Sequence, residues 1–281
     1  MLSKNKSKNT ALWDKNRNKI YSKKGGWKIG KGVYSHGYDM MNDLVGKVSY
    51  MQVMMLNATG RMPERRLADW FEAVHICLSW PDPRIWCNHI GALGGTMKTS
   101  TVAATAAGLL ANDSRAYGTK PLLQGVGFIR GAMEKFKEGM SVANIIEHEC
   151  AKHNGKPYIM GYARPIAKGD ERIPAMERVS KNLEFSIGKH LELAYEIERI
   201  LMQRFDEGMN INGYMSAFLS DQGYMPEEVY RICSVLVNSG ITACYIEVHD
   251  KPADTFLSLR CDDISYHGKG CRALPGFKST T

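Results

Sequence analysis

The stretch Asn182-Leu-Glu-Phe-Ser-Ile-Gly-Lys-His-Leu-Glu-Leu-Ala-Tyr-Glu-Ile-Glu-Arg-Ile-Leu-Met-Gln-Arg-Phe205 places Leu183, Ile187, Leu191, Ala194, Ile197, Leu201 and Phe205 three or four residues apart. That is the period of an α-helix with one apolar face, and Glu and Lys residues fill the other face. Working outward, the same spacing predicts helices over 39–57, 66–79, 99–111, 126–138, 140–151, 214–221 and 226–247. Turn-forming residues mark loops at Trp80-Pro81-Asp82-Pro83, Gly91 to Gly95, Asn112 to Pro121 and Gly161 to Pro174. Strand-like alternation is confined to short pieces such as Thr255 to Arg260. The pattern is that of an all-α protein with many helices and no internal repeat.

A chain of 281 residues has room for one large domain or two modest ones. Its hydrophobic fraction of 44% and charged fraction of 23% are those of an ordinary soluble globular protein. No apolar run is read as reaching the roughly 18 residues that span a bilayer, so no membrane partner is expected. The opening MLSKNKSKNT lacks the apolar core of a signal peptide, and the expected location is cytoplasmic. The net charge of +8 resides in residues 1–28, which carry nine basic residues and a single acid, Asp14; the rest of the chain is balanced. A basic, Asn- and Ser-rich segment in front of a neutral body reads as a flexible solvated arm. A polyanion contact is the lesser alternative, and nucleic acid is not an expected partner.

Seven cysteines, at 77, 87, 150, 233, 244, 261 and 271, include no C-x-x-C pair. They suit neither a zinc site nor a disulfide framework, and are expected to be reduced and mostly buried, with no metal. Gly125, Gly127 and Gly131 miss the G-x-G-x-x-G spacing by one residue. Gly91, Gly94 and Gly95 before Thr96 suit either a tight loop or a phosphate cradle at a helix start.

Several islands are shared with one known family. Tyr34-Ser-His-Gly-Tyr-Asp39, Asp43-Leu44, Ser49-Tyr50 and Thr59-Gly-Arg-Met-Pro63 resemble the opening of the citrate synthase and citryl-CoA lyase family. Gly161-Tyr-Ala-Arg-Pro-Ile-Ala-Lys-Gly-Asp-Glu-Arg172 is similar to that family's G-F-G-H-P-V-x-K-x-D-P-R segment. Asn210-Ile-Asn-Gly-Tyr214, with Gly223 and Pro226, resembles N-V-D-F-Y…G-x-P, and Ser239-Gly240, Ala243 and Glu247 resemble the helix carrying A-H-x-x-E. The islands keep the family's order over residues 33–268.

The resemblance implies an all-α, citrate synthase-like fold with a large helical domain, a smaller helical domain and a cleft between them. The implied bounds are 29–125 with 217–281 for the large domain and 126–216 for the small one. It also implies a coenzyme A thioester as substrate and usually a dimer. In the family a carboxylate takes a proton from the acyl-CoA methyl, one histidine stabilises the enol, and another activates the acceptor carbonyl. This sequence departs at those positions. The carboxylate position is Asn212, the G-F-G-H histidine is Arg164, and the P-L-H-G-G histidine falls at Leu123, Gln124 or Gly125. The A-H-x-x-E histidine is Cys244, and the arginine opening that segment becomes Val237 or Asn238. An amide is no base near neutral pH, so ordinary citrate synthesis is not expected.

Arg164 and Asn212 are the candidate catalytic residues, as donors to an oxyanion. Arg172, His89 and Gln124 are candidate substrate-binding residues, Arg164 and Arg172 together suiting a carboxylate, phosphate or thioester oxygen. His36 is read as a turn residue, His249 beside Asp250 as a weak acid–base pair, and Met51, Met54 and Met55 as core filling. The expected function is an acyl-CoA enzyme that forms or cleaves a carbon–carbon bond by chemistry other than citrate synthesis. The alternative is a catalytically silent subunit that binds a ligand or supports a catalytic paralogue. The expected partners are a small carboxylate or thioester, and a second subunit that is either identical or a citrate synthase-like paralogue.

Overall fold

The structure, a computed structural model, describes residues 10–115, 117–164, 169–253, 263, 265–270 and 272–275. The strand-like Thr255 to Arg260 and the cysteines at 261 and 271 lie outside them. The chain forms two compact units, one of residues 1–80 with 112–237 and the other of residues 81–111 with 238–281.

The protein is predominantly helical, as the periodicity predicts. One small sheet is added that the sequence reading did not foresee: β1 (Gly25–Lys28), β2 (Gly32–Ser35) and β3 (Tyr38–Asp39), antiparallel in that order. It starts inside the segment read as a free arm. β2 and β3 are joined at His36 (φ 49°) and Gly37 (φ 88°), the left-handed pair that a two-residue hairpin turn requires, which agrees with His36 as a turn residue. α1 (Ala11–Asn16) precedes the sheet and buries none of its residues.

In the first unit the region 39–57, expected as one helix, is a π-helical turn at Met40–Leu44 followed by α2 (Tyr50–Thr59). α2 starts at Ser49 because Ser49 and Gln52 form a reciprocal capping box. α3 (Arg65–Leu78) follows. After α4 (Trp86–Thr96) and α5 (Thr101–Asn112), which belong to the second unit, come α6 (Thr119–Lys137), α7 (Val142–Ala151), α8 (Arg172–Asn182), α9 (Lys189–Phe205), α10 (Ile211–Asp221) and α11 (Pro226–Ile232). The long helix expected from Asn182 begins only at Lys189. The chain turns at Glu184 (φ 58°), Ile187 is exposed, and the Asp221 carboxylate caps the new helix by accepting from the His190 and Leu191 N–H groups at 2.9 and 3.0 Å. Gly188 permits this, since a Cβ there would lie 2.3 Å from Asp221 Cγ.

α6 packs against α7, α9, α10 and α11, and presents Leu122, Val126, Ile129 and Met133 to the core. α10 is buried along nearly its whole length. Trp70 on α3 is fully buried, stacks on Phe218 of α10 at 4.1 Å, and donates from Nε1 to Ser180 Oγ at 2.9 Å; Ser180 in turn meets the Tyr214 hydroxyl at 2.9 Å. Met55 is wholly buried, and Met51 and Met54 pack against the same core. Cys87, Cys150, Cys233 and Cys244 are buried and Cys77 is half-buried, and none of these five is in a disulfide.

In the second unit α4 (Trp86–Thr96) packs on α12 (Asn238–His249), beside α5 (Thr101–Asn112). Gly91, Gly94 and Gly95 lie within α4, so they form neither a loop nor a phosphate cradle. They are contact points: a Cβ on Gly91 would lie 2.8 Å from the Ile241 carbonyl, on Gly94 2.6 Å from Ala104 Cβ, and on Gly95 2.6 Å from the Tyr245 carbonyl. A glycine cluster suggests a break in a sequence, and close packing of backbones overrides that suggestion. The helical stretch Pro226–His249 is long and apolar enough to cross a membrane by length and composition, with a mean hydropathy of 1.3, which corrects the reading that no such run exists. Half of that window is buried inside the protein, and a 3-10 turn at Cys233–Val235 interrupts it.

Replacing Trp70 by Ala is expected to cost about 3–5 kcal/mol in urea denaturation. Ser180→Ala, which strands the indole N–H and the Tyr214 hydroxyl, should cost about 1–3 kcal/mol. Leu12, Trp13, Ile20 and Tyr21 are exposed, so deleting residues 1–24 should leave the thermal midpoint nearly unchanged; a drop of several degrees would show that the segment docks.

Candidate functional site

The Gly161–Arg172 segment is tied to the head of α10 by its backbone. Asn210 N–H donates to the Gly161 carbonyl at 2.9 Å, and Ala163 N–H donates to the Gly208 carbonyl at 2.8 Å. The Asn210 side chain caps α10 by accepting from the N–H groups of Asn212 and Gly213, and its Nδ2 donates back to the Ala163 carbonyl at 2.7 Å. Gly161 adopts φ 97°, and a Cβ on it would lie 2.7 Å from Gly213 Cα; a Cβ on Gly213 would lie 2.3 Å from the Gly161 oxygen. Only a glycine pair lets the two backbones meet this closely.

Asp170 is the fixed point of the segment. Its side chain has no exposed surface, and it accepts from Arg172 Nε and Nη2 at 2.7 Å each, from Arg172 N–H at 3.1 Å and from Ile211 N–H at 2.8 Å. Burial by itself would raise its pKa. The Arg172 guanidinium and the two backbone N–H groups outweigh burial and hold the carboxyl below its usual range. It is therefore ionised near neutral pH, with its lone pairs in use.

Arg164 and Arg172 are brought together around this carboxylate, Arg164 Nη1 lying 3.8 Å from Asp170 Oδ1. Arg164 also holds Glu171 in a two-pronged ion pair, one prong at 3.1 Å, and that hydrogen bonding pulls the Glu171 carboxyl down to about 2. Each arginine thus already has an acidic partner, which the reading of them as an open anion clamp did not include. The signal was present in the run Asp170-Glu171-Arg172, where an acid two residues before an arginine can fold back onto it.

Asn212 stands in the first turn of α10, partly exposed. Its Oδ1 accepts from Ser216 Oγ at 3.0 Å, which turns the amide so that Nδ2 is left as a donor. α6 approaches here through Gly125, whose Cβ would lie 2.6 Å from both Asn212 Oδ1 and Ser216 Oγ. Of the three positions open for the family's P-L-H-G-G histidine, Gly125 is the one against Asn212. Gln124 is exposed on a neighbouring face of α6 and lines a concavity toward α7, so the structure does not group it with Asn212. His89 lies on α4 in the second unit, with Nδ1 3.0 Å from the Pro83 carbonyl; that contact fixes its tautomer, the proton residing on Nδ1. His249 Nδ1 and Asp250 Oδ1 are 3.6 Å apart, too far for a hydrogen bond, with His249 half-buried and Asp250 exposed. No group of three or more His, Cys, Asp or Glu residues that could hold a metal occurs among the described residues.

The site is therefore rich in donors, with Arg164, Arg172 and the Asn212 amide beside two carboxylates that are both engaged. Such an arrangement can stabilise negative charge on oxygen. It offers no described carboxylate with the raised pKa of a general base.

No protein-family model matches the sequence, and no curated protein does. Solved structures do. Citryl-CoA lyase from Hydrogenobacter thermophilus matches with a TM-score of 0.76 and 23% identity over 91% of this chain and 97% of its own. ATP citrate lyase from Methanothrix soehngenii, solved in complex with citrate and coenzyme A, matches with a TM-score of 0.74 and 14% identity over 94% of this chain, which spans 44% of that larger one. Citrate synthase from Thermotoga maritima matches with a TM-score of 0.56 and 17% identity over 83% of this chain and 62% of its own. The chain has the predominantly helical fold shared by citrate synthase, citryl-CoA lyase and the corresponding part of ATP citrate lyase.

Proposed function

We propose that the protein binds an acyl-CoA thioester and cleaves or forms a carbon–carbon bond next to the thioester carbonyl, by a route other than citrate synthesis. The observation that carries this reading is that both described carboxylates of the site are engaged by arginine, with Asn212 at the position where the family has its base. Decarboxylation of a malonyl-type thioester delivers an enolate and carbon dioxide without proton abstraction from a methyl group, and retro-aldol cleavage delivers an enolate and a carbonyl product with the substrate's hydroxyl proton passing to water. The Asn212 amide and Arg164 are the groups in place to stabilise that oxyanion. Arg172 positions the segment through Asp170.

A second reading, a silent subunit that supports a catalytic paralogue, is favoured by the internal pairing of Arg164 with Glu171 and of Arg172 with Asp170. Such pairs also serve a purely structural segment. In either case we propose a dimer, with an identical or a paralogous partner. α5 carries no charged side chain, and its Val102 and Leu110 are 78% and 79% exposed, an apolar face of the kind that subunits cover.

Acetyl-CoA with oxaloacetate should release no thiol; turnover of even about 1 per second, within the ordinary range for enzymes, would overturn the reading. Malonyl-CoA and citryl-CoA should be consumed, and Asn212→Ala should lower that rate by about 10²–10³. Arg164→Ala should weaken thioester binding by about 1.5–3 kcal/mol, with only partial recovery in Arg164→Lys. If Arg164 serves only to hold Glu171, Glu171→Gln will have the same effect, and the silent-subunit reading gains. Sedimentation should give a dimer, and Leu110→Glu should shift it to monomer.

A further inference from the structure

We propose that the concave face between α6 and α7 is a second binding site, which takes a monocarboxylate with an apolar body. A cavity of about 390 Å³ opens there, within the range of small-molecule sites. Phe128 is its half-buried apolar wall, set over the buried Ala132 and Ile145, and Gly127 and Gly131 lie along its floor. Lys135, Glu149 and Lys152 gather at one end, and Gln124 stands at the other, three helical turns away along α6.

The two floor glycines are not explained by the fold. Neither has left-handed backbone, and a Cβ on either would meet nothing within 4 Å, in contrast to Gly125 two residues before the first of them. Within a helix, alanine outcompetes glycine where nothing forbids a side chain. What a side chain at 127 or 131 would do is occupy the cavity and keep another molecule off the helix backbone.

The charges select the ligand. Lys152 Nζ donates to both Glu149 oxygens at 2.8 and 2.7 Å, and Lys135 Nζ lies 3.4 Å from Glu149 Oε1. His148 Nδ1 is 3.3 Å from Lys135 Nζ and 3.4 Å from Glu149 Oε1. Two ammonium groups against one carboxylate leave a single excess positive charge. One ligand carboxylate balances it. The apolar body then lies along the glycine floor against Phe128. None of these groups is used by the proposed oxyanion site, so the two proposals stand or fall separately.

The test is calorimetric titration of the full chain with octanoate and 1-octanol. Octanoate should bind saturably at one site, and octanol should bind about tenfold or more weakly, as expected when a charge-assisted hydrogen bond is lost. Gly131→Leu and Lys152→Gln should each lose octanoate affinity by a similar factor, while Arg164→Ala should leave it unchanged. If Gly131→Leu does not fold, Lys152→Gln, at an exposed position, decides alone. Absence of saturable octanoate binding, equal affinity for octanoate and octanol, or unchanged affinity in the folded variants would overturn the proposal.

Discussion

The Asp170 carboxylate, closed off from solvent between Arg172 and the first N–H of α10, is the interaction on which the candidate site depends. A buried ionised carboxylate is costly unless its oxygens are fully engaged, and here the engagement ties together three parts of the chain. It starts α8 at Arg172, anchors the segment that carries Arg164, and fixes the end of α10 from which Asn212 projects. Loss of either partner would leave a buried charge uncompensated, so these elements hold their mutual geometry together.

The glycines at 161 and 213 make that geometry reachable. Their backbones touch where any Cβ would collide, and Gly125 plays the same part where α6 meets Asn212 and Ser216. The site is thus assembled from backbone contacts and one buried ion pair, both rigid supports. That rigidity suits a role in which donors wait, already oriented, for charge to develop on a substrate oxygen. It suits proton abstraction less well, because both described carboxylates are held ionised by arginine and kept in use.

α6 links the core to two different surfaces. Its apolar residues Leu122, Val126, Ile129 and Met133 are buried in the core, Gly125 admits α10, and Gly127 and Gly131 leave a neighbouring face bare. One helix sequence therefore carries glycine for two distinct reasons, close packing in one case and open space in the other.

The sequence by itself determined the helical class and most of the helices, because burial of one face imposes a 3.6-residue period that composition cannot hide. It also located the Gly161–Arg172 and Asn210–Tyr214 segments and drew attention to Arg164, Arg172 and Asn212. What it could not reveal was which partners those side chains would find. Asp170 and Glu171 stand beside Arg172 in the chain, which hints at one pair, yet the pairing of Glu171 with Arg164 depends on where folding places Arg164. The start of α9 at Lys189 was likewise hidden, since its cap is supplied by Asp221, some thirty residues on. The glycines of α4 read as a loop because a lone chain gains nothing from glycine inside a helix; only the backbones of α12 and α5 packed against them give the reason. Local periodicity is written in neighbours along the chain, whereas caps, ion pairs and close backbone contacts are made between residues that folding alone brings together.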